Sequence, residues 1–172
     1  MKRRIVLSSM FLSIGFILPL LTSQIKEIGD TLLPMHIPVM LCGLVCGWKY
    51  GLFVGLLLPF LRSAVFSMPP IYPNAVWLSL ELATYGFVIG FLYSHMRQKG
   101  LKSIYISLLS AMLIGRIVWG ISKAFLLGMN GEYFTFALFI SGGFIDALPG
   151  ILLQLILIPR IMIIIRRKGV LN

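Results

Sequence analysis

Acidic residues are scarce in this chain. Asp and Glu number 5 among 172 residues, against 15 Lys and Arg, and charged residues reach only 12% in all. A soluble domain carries about a quarter. Cysteine is nearly absent as well, with Cys42 and Cys46 alone. Four apart on one face of an apolar helix, they are badly placed for a structural disulfide, and two thiols make a poor metal site. We read them as small packing residues. Enzyme signatures are missing too. The chain has no Gly-x-Ser-x-Gly, no His-Glu-x-x-His and no Gly-rich phosphate loop ending in Lys. His36 and His95 are expected at opposite ends of the molecule, too far apart for a catalytic or metal pair. The expectation is a protein that is not an enzyme and holds neither cofactor nor metal, with no ATP site of its own.

Apolar residues are what the chain has in excess. They make up 59% of it, and mean hydropathy is +0.99. Only lipid can hide that much apolar surface, and a hydrocarbon core of about 30 Å needs roughly 20 apolar residues per helix. The fold class expected is therefore an all-α integral membrane protein, one transmembrane domain over residues 1–172. Six spans are predicted: Ile5 to Leu21, a short one from His36 to Gly47, Tyr50 to Phe66, Asn74 to Tyr93, Ser103 to Leu127, and Phe136 to Ile165. The last is interrupted by Gly142-Gly143, Pro149-Gly150 and Pro159. The second is too short to cross straight and needs neighbouring protein around its ends. Three prolines stiffen the loop from Ser67 to Pro73.

Basic residues fix the orientation. Lys2-Arg3-Arg4, Lys49, the Arg97-Lys99-Lys102 group and Arg166-Arg167-Lys168 fall on one side only if the spans number six. Both termini are then cytoplasmic. The same runs contact lipid headgroups, so the charge of +10 reflects membrane placement and not a nucleic-acid partner. The first apolar run has no small-residue cleavage site after it and is read as a span instead of a signal peptide.

Charges within spans are costly and usually functional. Arg62, Glu81, Arg116, Lys123 and Asp146 are expected in the outer half of the bundle, with Arg160 reaching the inner headgroups. Two readings compete. The five charges form interhelical ion pairs, such as Glu81 with Arg116 and Asp146 with Lys123, or they line a polar pocket open to the outside, where one positive charge is left over for an anion. Tyr72, Asn74, Trp77, Asn130, Tyr133 and Phe134 add aromatic and amide groups at that end, as interfacial belt residues or as pocket walls. On the first helix, Ser9 and Ser13 make a small-xxx-small pair, with Gly15 nearby, that lets another helix approach closely or serves internal packing.

Together these features resemble a known family. Six spans in so short a chain, the small pair of helix one, the stretch from Met35 to Gly55, and the segments Leu61-Arg-Ser63, Glu81-Leu-Ala-Thr-Tyr-Gly86 and Gly115-Arg-Ile-Val-Trp-Gly120 are similar to the S components of energy-coupling factor (ECF) vitamin transporters. The resemblance implies a high-affinity subunit of the cell membrane, in bacteria the plasma membrane. It would capture a water-soluble vitamin from outside and dock on a transmembrane coupling subunit driven by two ATPases. The family's docking motif, Ala-x-x-x-Ala on helix one, is occupied here by Ser9 and Ser13. It also implies pantothenate as the leading ligand, since the spare positive charge suits a carboxylate, with pyridoxine and a thiamine-precursor pyrimidine as rivals. Arg62, Tyr72, Asn74, Trp77, Glu81, Arg116, Lys123, Asn130 and Asp146 are the candidate ligand-binding residues. A stand-alone small-molecule transporter is the alternative class, although no internal repeat of the kind such proteins often carry is visible.

Overall fold

The structure is a computed structural model that describes residues 2–22 and 33–167. Lys26, Glu27 and Asp30 of the first loop, and Lys168 of the last basic group, lie outside the described residues. Every regular element within them is helical: α1 (Lys2–Thr22), α2 (His36–Cys46), α3 (Trp48–Phe66), α4 (Val76–His95), α5 (Leu101–Met129), α6 (Phe136–Ile140) and α7 (Leu148–Arg167). A kinked turn with Tyr72 extended occupies Ile71–Ala75, ahead of α4, and a wide π-type turn occupies Ser141–Ile145, after α6.

Five helices are long and apolar enough to cross a membrane: α1, α3, α4 with its leading turn, α5 and α7. The short second segment is present as α2, and its 11 residues reach only about 16 Å. Lipid cannot satisfy the exposed ends of such a helix. Accordingly, every α2 residue except Val45 is buried, with α1, α3 and α4 packed around it. Its sharp exit depends on Gly47, whose φ of 102° a side chain would oppose. Cys42 and Cys46 are buried and free, filling space among apolar neighbours.

The expected last span resolves into α6, a π-type turn and α7. Gly142 and Gly143 fall inside that turn and lie against the Trp119 ring. Pro159 does not break α7, just as Pro19 and Pro59 sit inside α1 and α3. At 29 residues, α5 is about 43 Å long, more than a hydrocarbon core requires.

Packing is tightest where α2, α3 and α4 meet through glycine. A Cβ on Gly86 would stand 2.2 Å from the Gly51 carbonyl oxygen, and one on Gly43 would stand 2.6 Å from the Gly86 oxygen. Three backbones therefore touch directly, the approach that small residues allow between helices in lipid. Central and peripheral helices separate clearly. Buried positions make up 56% of the most apolar stretch of α4 and its leading turn, against 22% for α1 and 28% for α7.

Gly86→Ala should therefore destabilise the bundle by about 1–3 kcal/mol, because backbone and not a flexible side chain must yield. Gly128 has open space around it, so Gly128→Ala should be neutral or slightly stabilising. Thermal unfolding of both variants in the same detergent measures the difference. Equal melting temperatures would remove the glycine contact as a determinant of packing.

Candidate functional site

A buried carboxylate organises the interior. Glu81, in the second turn of α4, is 1% exposed. Its Oε1 accepts from Arg116 NH1 of α5 at 3.0 Å and lies 3.3 Å from His36 Nε2 at the start of α2. One acidic oxygen thus joins three helices. With the carboxylate ionised, Nε2 is the protonated ring nitrogen, because a bare nitrogen would face a bare oxygen. The Tyr85 ring stands edge-on to His36 at 5.0 Å, and its hydroxyl donates to the Met112 carbonyl at 3.4 Å. Among the described residues Glu81 thus holds the one Arg or Lys ion pair, with Arg116, and the imidazole of His36 shares the same oxygen.

Arg116 is 4% exposed and has capacity to spare. Its Nε and its second terminal nitrogen, NH2, have no hydrogen-bond partner among the described residues. Its guanidinium lies 5.8 Å from the Trp119 ring centroid. One turn beyond Trp119 comes Lys123, with Nζ 4.8 Å from Trp119, 5.3 Å from Trp77 and 5.6 Å from Phe134. The three rings wrap the ammonium, and each face attracts it. The spacing Arg116, Trp119, Lys123 follows helical periodicity, so all three share one face of α5.

The remaining expected site residues divide into two groups. Tyr72 and Asn130 meet, the Tyr72 hydroxyl donating to Asn130 Oδ1 at 3.3 Å, which ties the loop before α4 to the end of α5. Trp77 stands in the ring set around Lys123, and Asn74 lies half-buried in the turn just before it. Arg62 serves its own loop: Nε donates to the Met68 carbonyl at 3.3 Å, and the neighbouring Ser63 hydroxyl donates to the Pro69 carbonyl. Asp146 is exposed and accepts from Ser141 at 3.4 Å. Of the two ion pairs anticipated, then, the structure forms Glu81 with Arg116, while Asp146 and Lys123 do not pair. A lysine surrounded by aromatic rings gains cation–π attraction without a carboxylate, and Asp146 finds its donor within the π-type turn.

Sequence reasoning missed His36 and Trp119. Distance from His95 excludes only a histidine pair; a polar ring at the buried start of a helix still requires a partner, and Glu81 offers one. Trp119 was legible from its place three after Arg116 and four before Lys123.

On α1 the small residues face two ways. Gly15 points inward, where a Cβ would meet Leu58 at 2.7 Å. Ser9 and Ser13 are exposed, and their hydroxyls donate at 3.0 Å to carbonyls one turn back, Ile5 and Ser9. Their hydroxyls are thereby satisfied within the helix.

Removing Glu81 alone strands Arg116 in the interior. Glu81→Leu should destabilise by about 3–5 kcal/mol, and Glu81→Leu with Arg116→Met should recover much of that loss. Thermal unfolding in detergent reads both, and a double variant less stable than Glu81→Leu would contradict the pairing.

The ECF transporter, substrate-specific component family matches residues 3–162. Neither a curated protein nor a solved structure matches the chain.

Proposed function

The chain belongs to the substrate-specific components of ECF transporters, and we propose that it captures a vitamin bearing a carboxylate, with pantothenate the best fit. The membership makes it a membrane-embedded transport subunit and not itself an enzyme. The finer reading rests on one observation. Glu81 is the sole buried acidic side chain among the described residues, and it already serves Arg116 and His36. Lys123 and two nitrogens of Arg116 are left without an acidic partner, beside aromatic walls from Trp77, Trp119 and Phe134. Pockets for small molecules combine apolar walls with a few placed polar groups. A carboxylate would take the unused guanidinium nitrogens and the ammonium, and the apolar part of the ligand would lie on the rings.

The same reading places six crossings in the membrane, both termini in the cytoplasm and the Lys123 end outside, in the plasma membrane of a bacterium. The Tyr72–Asn130 link would close over the ligand. Coupling would run through α1, whose exposed Ser9 and Ser13 suit close approach by a transmembrane coupling subunit that two ATPases drive.

Binding of radiolabelled pantothenate and pyridoxine to purified, monodisperse protein tests the site. Arg116→Gln and Lys123→Gln should each weaken pantothenate binding by a factor of tens to thousands, as expected for about 2–5 kcal/mol lost with one partner of a buried charged contact. Unchanged affinity in both variants would remove this site, and binding of pyridoxine alone would keep the site but exclude the carboxylate.

Docking is tested separately. Ser9→Phe with Ser13→Phe should abolish copurification with the coupling subunit and ATPases while vitamin binding stays within about twofold, because only close helix approach is lost. Intact copurification would show that α1 is not the contact. A parent protein that transports without any partner would point to a stand-alone carrier.

A further inference from the structure

The opposite end of the bundle holds a second polar recess that substrate capture does not use. It is a cleft of about 500 Å³ lined by residues of α1, α2, α3, α4 and α7 and by the loop after α4. Arg4, Lys99 and Arg166 supply three positive charges to its wall. The acidic side chains of the described residues are Glu81, Glu132 and Asp146, and none of them lines this cleft. Arg166 donates to the Lys99 carbonyl, which holds the end of α7 against the loop.

Two further features point to an anion. Tyr93 lines the cleft at 5% exposure, and its hydroxyl has no hydrogen-bond partner among the described residues. A buried hydroxyl left unpaired is costly, so a ligand oxygen there would be favoured. Gly47 and Trp48, also in the wall, form the start of α3, and no side chain caps that helix. The first N–H groups of a helix lack intrahelical partners, and the helix dipole adds positive potential there. Gly90 keeps this corner open to backbone: a Cβ there would lie 2.6 Å from the Trp48 nitrogen.

We propose that the cleft walled by Arg4, Tyr93, Lys99, Arg166 and the start of α3 binds a phosphate group, carried by an anionic lipid headgroup or by a soluble phosphate compound. Phosphate matches the donor set: several oxygens for the arginine forks, the lysine, the tyrosine hydroxyl and the helix start, with charge to offset the three cations. The site lies at the end of the molecule where the basic residues gather. A headgroup bound there would fasten α1 and α7, the two peripheral helices, to the central α4.

The test uses full-length protein stripped of lipid in a neutral detergent, with native mass spectrometry as the readout. Phosphatidylglycerol, phosphatidylcholine and inorganic phosphate are titrated in turn. At least one of phosphatidylglycerol and inorganic phosphate should bind about tenfold more tightly than phosphatidylcholine. Lys99→Gln and Arg166→Gln should each weaken that ligand about tenfold, as loss of a hydrogen bond to a charged group does. Tyr93→Phe, which keeps the ring and removes only the hydroxyl, should weaken it about threefold. Arg97 lies exposed in the same loop but outside the cleft, so Arg97→Gln should change affinity by less than about twofold. A gain for phosphatidylglycerol beyond inorganic phosphate assigns the site to a lipid headgroup, and equal affinity assigns it to soluble phosphate. No preference over phosphatidylcholine would overturn the site. So would equal losses for Arg97→Gln and Lys99→Gln, which would mean a diffuse positive surface.

Discussion

Backbone contact between Gly51 and Gly86, with Gly43 wedged beside them, fixes the spacing of α2, α3 and α4. In lipid no hydrophobic force draws helices together, so close approach and the dispersion it permits must hold them. The contact has consequences along each helix. Two turns from Gly43, α2 begins at His36. Somewhat more than one turn from Gly86, α4 carries Glu81. With the glycines touching, histidine and carboxylate fall within 3.3 Å of each other, and α5 can close on the same oxygen through Arg116. Wider spacing would leave three buried polar groups facing apolar surroundings.

The bundle is chemically unequal at its two ends. Toward one, the buried carboxylate of Glu81 meets the guanidinium of Arg116, and aromatic faces stabilise the ammonium of Lys123. At the other, basic side chains gather around a cleft that no acidic side chain of the described residues lines. The central helices connect these ends rigidly, since α2 is buried along nearly its whole length and α4 over more than half of its apolar stretch. The outer helices α1 and α7 are the parts with surface to spare for lipid or protein partners.

Periodicity and hydropathy made the helices legible, including the shortness of α2 and the interruption at Gly142-Gly143. They misjudged Pro159, because a proline ring in a span can be accommodated when neighbouring groups satisfy the freed carbonyl. The pairing of Glu81 with Arg116 was readable as one option because a buried charge in lipid needs a partner and the two fall at similar depth. His36 was harder: its contact with Glu81 joins residues 45 apart in sequence and depends on a glycine crossing that no local pattern announces. The fate of Lys123 turned on aromatic rings from three separate segments, α4, α5 and the loop before α6. Depth alone suggested Asp146 as its partner, and depth does not report direction around a helix.

The hydrogen bond from Tyr72 to Asn130 spans 58 residues and is exposed. An exposed neutral bond of this kind contributes about 1 kcal/mol net. If it were the sole tie between the two loops, they would stand apart in roughly one molecule in six at any instant. Acting alone, such a fastening would cover a bound solute without retaining it. Residence time would then be governed by what the solute itself bridges once inside, so the same two loops would admit many compounds briefly and detain few.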